Sequence, residues 1–251
     1  LTIVFRTKYS FYLNVTKQTV NPFEKGLNIL DLSNIVRHIV ISAFPILIAI
    51  VFHELSHGFV ANRLGDPTAK MMGRLTLNPI AHIDPIGTIL MPLMLLILTN
   101  GQFVFGYAKP VPINPMNFKN PKRDMAISAA AGPITNILLS ILSILILKLI
   151  IAPLSFFLPE SVSSTVMTPL IMIFQSSVVV NVVLAAFNMI PIPPLDGGRV
   201  LTGFLPHKQA VSFSKIEPFG FIIVIFLIAT GIASYFVMPM VNMFLRLLEL
   251  F

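Results

Sequence analysis

The stretch Ile39–Val60, IVISAFPILIAIVFHELSHGFV, is apolar for most of its length and then carries His53, Glu54 and His57 near its end. About 20 apolar residues in a helix cross the hydrocarbon core of a bilayer, so this stretch reads as a transmembrane helix. Ionisable groups at membrane depth are costly and mark function by default. The spacing His-Glu-x-x-His sets two imidazoles at i and i+4, on one helical face and close enough to bind a single metal ion. Glu54 sits one residue round from His53, near enough to hold metal-bound water without being a ligand. Chance gives about 0.002 such boxes in a chain of this composition.

The rest of the 251 residues agree with a membrane fold. Apolar residues make up 55% and charged residues only 11%, against about 25% charged in soluble proteins, and the mean hydropathy is +0.87. A soluble globular domain is excluded, and so is disorder. The chain has no cysteine, which excludes a disulfide framework, a Cys-zinc site and a thiol nucleophile. The formal net charge of +7 lies in loops between apolar stretches. Anionic lipid headgroups explain that placement, and no nucleic-acid partner is expected. No signal peptide is evident in the opening residues.

Three further stretches are long enough to span: Met125–Ile151, Val166–Ile190 and Phe219–Val237. After Pro239 a kinked or interfacial helix is expected to run to Phe251. Ile86–Leu98 is too short and contains Pro92, which suits a re-entrant segment. Residues 1–37 mix Phe, Tyr, Lys and Thr without a period and read as a surface or interfacial segment. The expected fold is an all-α polytopic membrane protein. It has about four to six transmembrane helices, a short re-entrant or half-membrane segment and a loop-rich cytosolic-side region. Its expected divisions are an N-terminal segment 1–37, a catalytic core 38–218, and a C-terminal transmembrane helix with an interfacial tail, 219–251.

Zinc catalysis requires three protein ligands and one open position. With no cysteine, the third ligand must be His, Asp or Glu. The candidates are Glu24, Asp31, Asp66, Asp84, Asp124, Glu160, Asp196, Glu217, Glu249, His38, His82 and His207. Asp196 stands out because it directly follows the third apolar stretch, in NMIPIPPLDGGR (188–199). The prolines prevent a regular helix there and the glycines permit a tight turn. An Asp in a turn is also ordinary loop chemistry, so on these residues alone the choice stays open.

His53–His57 together with Leu195-Asp196-Gly197 resembles the site-2 protease family of intramembrane zinc metalloproteases. Further segments fit its small bacterial and archaeal-type branch: Leu64–Ala69, Gly73–Pro79, His82–Gly87, Ala108–Pro115, and Ala131-Gly132-Pro133 followed by Asn136. The match covers roughly 38–205. The resemblance implies that His53, His57 and Asp196 hold one Zn2+ per chain and that Glu54 is the general base and proton shuttle. It implies that Asn136 and Asn188 donate to the substrate backbone or the oxyanion. The implied activity is hydrolysis of peptide bonds in or near transmembrane segments of membrane proteins, by zinc-activated water. Neither a PDZ insertion nor a nucleotide-binding regulatory tail is expected, only a minimal core. His82, in the loop Asn78–Pro85, reads either as an accessory or gating group or as a loop-stabilising hydrogen bond.

A helical substrate must unwind before it is cut, and an extended strand laid along an edge of the enzyme is expected. The loop around Met71 and the segment Ile86–Leu98 are candidates for that edge or for a gate. The competing reading is a metal-binding scaffold or a divalent-cation carrier without peptidase activity. A carrier would place acids on several spans, and apart from Glu54 these are nearly absent. One zinc also requires the end of the first span and the end of the third to share a side, so Ile86–Leu98 should not cross. That side carries ten Lys and Arg against seven on the other. The site is therefore expected towards the cytosol, in a multi-pass protein of a prokaryotic cell membrane.

Overall fold

The computed structural model describes residues 29–98 and 106–249, and all regular structure among them is helical, as the composition implies. In chain order the helices are α1 Ile29–Arg63, α2 Thr68–Met71, α3 Met91–Leu98, α4 Pro121–Ile146, α5 Ala152–Phe157, α6 Glu160–Val162, α7 Thr168–Asn188, α8 Asp196–Phe204, α9 His207–Ser214, α10 Glu217–Ala229 and α11 Ile232–Glu249. A wider π-type turn at Leu147–Ile151 joins α4 to α5, and another at Ser163–Met167 joins α6 to α7. Most of the segment expected over 1–37 lies outside the described residues.

Four helical runs are long and apolar enough to cross a membrane: Ala43–Arg63, Pro121–Phe157, Glu160–Asn188 and Ile232–Glu249. The first three contain the cores of the expected spans. The fourth corrects the reading of the sequence. The stretch Phe219–Val237 is not one helix, because Gly231 adopts φ +76° and separates α10 from α11. A left-handed residue ends a helix whatever the hydropathy around it. The apolar crossing instead continues through Pro239 to Glu249, while α9 and α10 form a pair bent by 67° that makes a possible fifth span.

The chain forms two compact units. One is described through residues 29–40, 83–98 and 106–109. In it Asp84 caps the turn Pro85–Leu90 by accepting from the N–H groups of Ile86 and Gly87, at 3.0 and 2.7 Å. Gly87 lies under Tyr107: a Cβ there would fall 2.3 Å from a ring carbon. The part of the helical run that is described, from Pro85 through Leu98, is about 20 Å long, against a ~30 Å hydrocarbon core.

The other unit comprises 41–82 and 110–249. Here α4 packs against α7 and α8, and α7 against α11. Lipid offers no hydrophobic drive for helices to associate, so close packing of small residues and interhelical hydrogen bonds do the work. The inward face of α4 accordingly carries Ser128, Gly132, Asn136 and Ser140, each buried and four residues from the next. Leu138, Leu142, Leu145 and Phe156 face outward. Between α4 and α7, Ser143 and Ser177 share a hydrogen bond of 2.9 Å.

Helix α1 ends where Gly65 turns to φ +110° and the Asp66 N–H reaches back to the Ala61 carbonyl at 2.9 Å, a Schellman closure. Asp66 itself is fully buried. Burial works against its ionisation, but hydrogen bonds from the Thr68 hydroxyl, the Asn117 amide and the Asn114 and Thr68 N–H groups outweigh that and hold its carboxyl below the ordinary range. Asp66 therefore stabilises the folded state above the usual carboxylate pKa, and that contribution fades as pH falls through its lowered value.

Because the chain lacks cysteine, single labels need no background removal. Asn120 and Ser161 are exposed and flank the run Pro121–Phe157. In sealed vesicles of one orientation, an impermeant maleimide should label only one of N120C and S161C before lysis and both after it. Equal labelling of both before lysis would mean that α4 does not cross.

Candidate metal centre

The metal-ligand candidates come from two helices. His53 and His57 lie one turn apart on α1, with their rings edge to face at 4.6 Å. Asp196 opens α8, after the turn Pro191–Leu195. That turn closes tightly because Gly197 and Gly198 let α8 rest on backbone. A Cβ on Gly197 would fall 2.3 Å from the Met189 carbonyl oxygen, and one on Gly198 2.4 Å from the Pro193 nitrogen. All three side chains are buried, and they form the one cluster of metal-binding groups found among the described residues.

Hydrogen bonds from behind fix the tautomers of the two histidines. His57 Nδ1 faces the Ser128 carbonyl at 2.7 Å, and a carbonyl can only accept, so the proton is on Nδ1. His53 Nδ1 faces Asn136 Oδ1 at 2.5 Å. The Asn136 amide is itself oriented, because its Nδ2 donates to the Ala49 carbonyl and to Asn181 Oδ1. Asn181 Nδ2 in turn donates to the Ser177 carbonyl at 2.8 Å. A chain of donors anchored on backbone carbonyls therefore ends at His53 Nδ1–H. In the neutral rings both Nε2 atoms then carry lone pairs.

Those lone pairs converge. The two Nε2 atoms lie 3.1 Å apart, and Asp196 Oδ2 lies 3.1 Å from one and 3.3 Å from the other. Asp196 Oδ2 is buried and has no assigned hydrogen-bond donor among the described residues. With both imidazoles neutral, all three atoms are acceptors, and a cation among them offsets their mutual repulsion. Ligand atoms ~2.0–2.1 Å from a tetrahedral zinc lie about 3.3 Å apart, and the triangle observed has that size. The donor set and its spacing fit a zinc ion with a fourth position left over.

Gly132 explains how α4 can approach so closely. A Cβ there would fall 2.4 Å from His57 Nε2 and 2.6 Å from His53 Cε1. Ser128, Gly132 and Asn136 form one stripe of α4, with Ser128 against His57 and Asn136 against His53. The pairing runs in opposite directions along the two helices, so α1 and α4 are antiparallel at this face. Ser128 also donates its hydroxyl to the His57 carbonyl at 2.9 Å.

Glu54 is half-buried and lies away from the α4 face. Its Oε2 accepts the Val111 N–H at 2.9 Å, and Oε1 has no hydrogen-bond partner among the described residues. Asn188 ends α7, half-buried, and no hydrogen bond joins its side chain to a described residue. Asn136 is fully buried with both polar atoms engaged inside the protein, partners other than the substrate or oxyanion expected from the sequence. His82 lies within its own loop, outside the three-residue cluster. Its Nε2 donates to the Thr76 carbonyl at 2.9 Å, and its buried Nδ1 has no partner among the described residues.

The model of peptidase family M50 matches residues 41–231, most of the chain and all of this cluster. The chain belongs to family M50, the site-2 protease family. It is thus a metalloprotease, and its long apolar helices make it an integral membrane protein. Among M50 relatives, a Bacillus subtilis (strain 168) protein named "Putative zinc metalloprotease YwhC" is 37% identical over 197 residues, covering 78% of this chain and 84% of that protein. "Putative zinc metalloprotease Rip2" of Mycolicibacterium smegmatis is 25% identical over 188 residues, 73% of this chain and 64% of its own length. The Rip2 of Mycobacterium tuberculosis (strain H37Rv) is 27% identical over 186 residues, 73% and 65%. The chain thus spans just under two thirds of each Rip2 protein. No solved structure gives a significant match.

Four participants had no role assigned from the sequence: Ser128, Gly132, Asn181 and Val111, of which Gly132 and Val111 entered only within the segments Ala131-Gly132-Pro133 and Ala108–Pro115. The first two carried a legible signal, since small and polar residues recur every fourth position through Ser128, Gly132, Asn136 and Ser140 in an otherwise apolar helix. Gly132→Ala adds a methyl where the imidazoles lie. Zinc affinity, read by competition with a chelator, should fall at least ~10–100-fold, the range seen when groups behind a metal's ligands are disturbed. Alanine favours the helix itself by about 1 kcal/mol, so an unchanged affinity with raised thermal stability would refute this account of Gly132.

Proposed function

We propose that this M50 metalloprotease is a zinc endopeptidase that cuts peptide bonds in or near transmembrane segments, with His53, His57 and Asp196 as ligands and Glu54 as general base. The single observation that carries the reading is the convergence of two imidazole Nε2 atoms and Asp196 Oδ2 within 3.1–3.3 Å of one another. Zinc held there supplies Lewis acidity, which acidifies water and polarises an amide carbonyl.

The chain's own residues account for the rest. Glu54 keeps Oε1 without a partner while Oε2 is held, so Oε1 takes the proton of the attacking water and returns it to the leaving nitrogen. Asn136 orients His53, Ser128 orients His57, and neither is a substrate donor in this reading. Asn188, with its amide unengaged by described residues, is the asparagine left to meet the substrate backbone or the oxyanion.

An extended substrate also has a matching edge. Residues 74–78 form no helix or strand, and their peptide groups divide into those the protein holds and those it does not. The first are held through Arg74 N–H to the Ala69 carbonyl and His82 Nε2 to the Thr76 carbonyl. The peptide groups of Leu75 and Leu77 have no partner among the described residues. Leu75 packs at Gly58, next to His57 in sequence. In this reading the loop lies on the cytosolic side, supported by the larger share of Lys and Arg there.

The test is cleavage of a single-transmembrane fusion substrate by the purified protein, with bound zinc measured in parallel. The parent should hold one zinc per chain and cleave. Glu54→Gln should keep its zinc and lose roughly 10²–10⁴-fold in rate, the range for a general base. Asp196→Asn should lose both. A parent that binds zinc without cutting any of a panel of substrates would favour a metal-binding scaffold, and a parent without metal would refute the site.

A further inference from the structure

The segment Pro110–Asn117, PVPINPMN, carries prolines at 110, 112 and 115. Proline has no N–H, fixes its own φ and restricts the residue before it to extended backbone. Between Pro110 and Pro115 the backbone donors are therefore those of Val111, Ile113 and Asn114. Two of the three go to carboxylates. Val111 N–H meets Glu54 Oε2 at 2.9 Å, and Asn114 N–H meets Asp66 Oδ2 at 2.7 Å. The Asn117 side chain adds a second bond to Asp66, also at 2.7 Å.

The segment is thus strapped to α1 and to the loop that follows it. Its apolar contact is equally specific. Val111 is buried, and a Cβ on Gly58 would fall 2.7 Å from its Cγ1. Gly58 is one turn after Glu54, on the same face. Glycine at 58 therefore makes the dent into which Val111 closes, and the same closure brings its N–H to Glu54.

We infer that Pro110–Asn117 is a positioning strap for Glu54, and that the Val111 N–H is its working group. The inference rests on the reading of Glu54 as the general base. A glutamate has three rotatable bonds and, left free, spends much of its time out of place. The Val111 donor holds Oε2 and leaves Oε1 as the oxygen that handles the proton. The flanking prolines keep the donor from swinging away, and Asp66 anchors the far end. Val111 is a positioning residue: it touches the base, not the substrate.

The experiment replaces single backbone amides by esters, introducing α-hydroxy acids at 111 or 113 through nonsense suppression in the full chain. The ester at 111 removes the donor and little else. With the single-transmembrane fusion substrate it should lower kcat at least tenfold, leave KM within twofold and keep one zinc per chain. The ester at 113, whose N–H has no partner among the described residues, should leave kcat within twofold. Equal kcat for the two esters, a raised KM at unchanged kcat, or lost zinc would each overturn the inference. Hydrogen exchange gives a readout that needs no catalysis. In the parent the Val111 amide should exchange at least tenfold more slowly than in Glu54→Ala, and equal exchange would refute the contact. A parent that cleaves beside a 111 ester that cleaves equally well sinks the strap alone, whereas a parent that never cleaves sinks the protease reading with it.

Discussion

Two imidazole nitrogens and one carboxylate oxygen, all three lone-pair donors when the rings are neutral, lie within 3.1–3.3 Å of each other inside an apolar bundle. Lone pairs at that separation repel, and no water-like dielectric softens the repulsion. A metal cation among them offsets that repulsion, and much of the unit holds the three atoms in place. The backs of the imidazoles are held by Ser128 and Asn136, which fixes the orientation of both rings. The turn Pro191–Leu195 and two glycines deliver Asp196 from the far side.

The same constraint explains why α4 is built inside out relative to a soluble helix. A buried unpaired polar group costs about 1–3 kcal/mol, and in lipid it has no water to fall back on. Every polar residue on the inner stripe of α4 is therefore tied: Ser128 to His57, Asn136 to His53, Ala49 and Asn181, Ser140 to the Val178 carbonyl. Asn181 extends the chain into α7, so the orientation of one metal ligand is coupled to the packing of a third helix. Leucines and phenylalanines, the core of a soluble protein, are here free to face lipid.

How much of this the sequence disclosed depended on how local the signal was. The His-Glu-x-x-His box is local, since one helix fixes the geometry of its two imidazoles. Asp196 is 139 residues beyond His57. Its residues alone could not be told from an ordinary turn, and only the fold brings its oxygen to the pair. Asn136 was legible as a polar residue at membrane depth, but its partners depend on which way α4 turns its stripe. Gly231 was overlooked because an average of hydropathy cannot register one left-handed residue, so the last span was placed about one helix too early. Val111 was legible only as a member of the segment Ala108–Pro115, without a role: what matters there is a backbone N–H, and every residue except proline has one.

That last case follows from helix geometry. Consecutive residues on a helix are turned by about 100°, so His53 and Glu54 cannot face the same wall. The metal box therefore demands two walls on adjacent faces of α1. The histidines need acceptors for their Nδ1–H groups and room for their rings, which a helix with a small-residue stripe provides. Glu54 needs a donor. Backbone N–H groups inside a helix are already bonded, so the second wall has to be irregular backbone with an amide to spare. Pro110–Asn117 has that character: its prolines forbid helix, leave few N–H groups, and hold the one at Val111 against the carboxylate. A loop of this composition beside a metal box is thus a consequence of the one-residue offset between ligand and base.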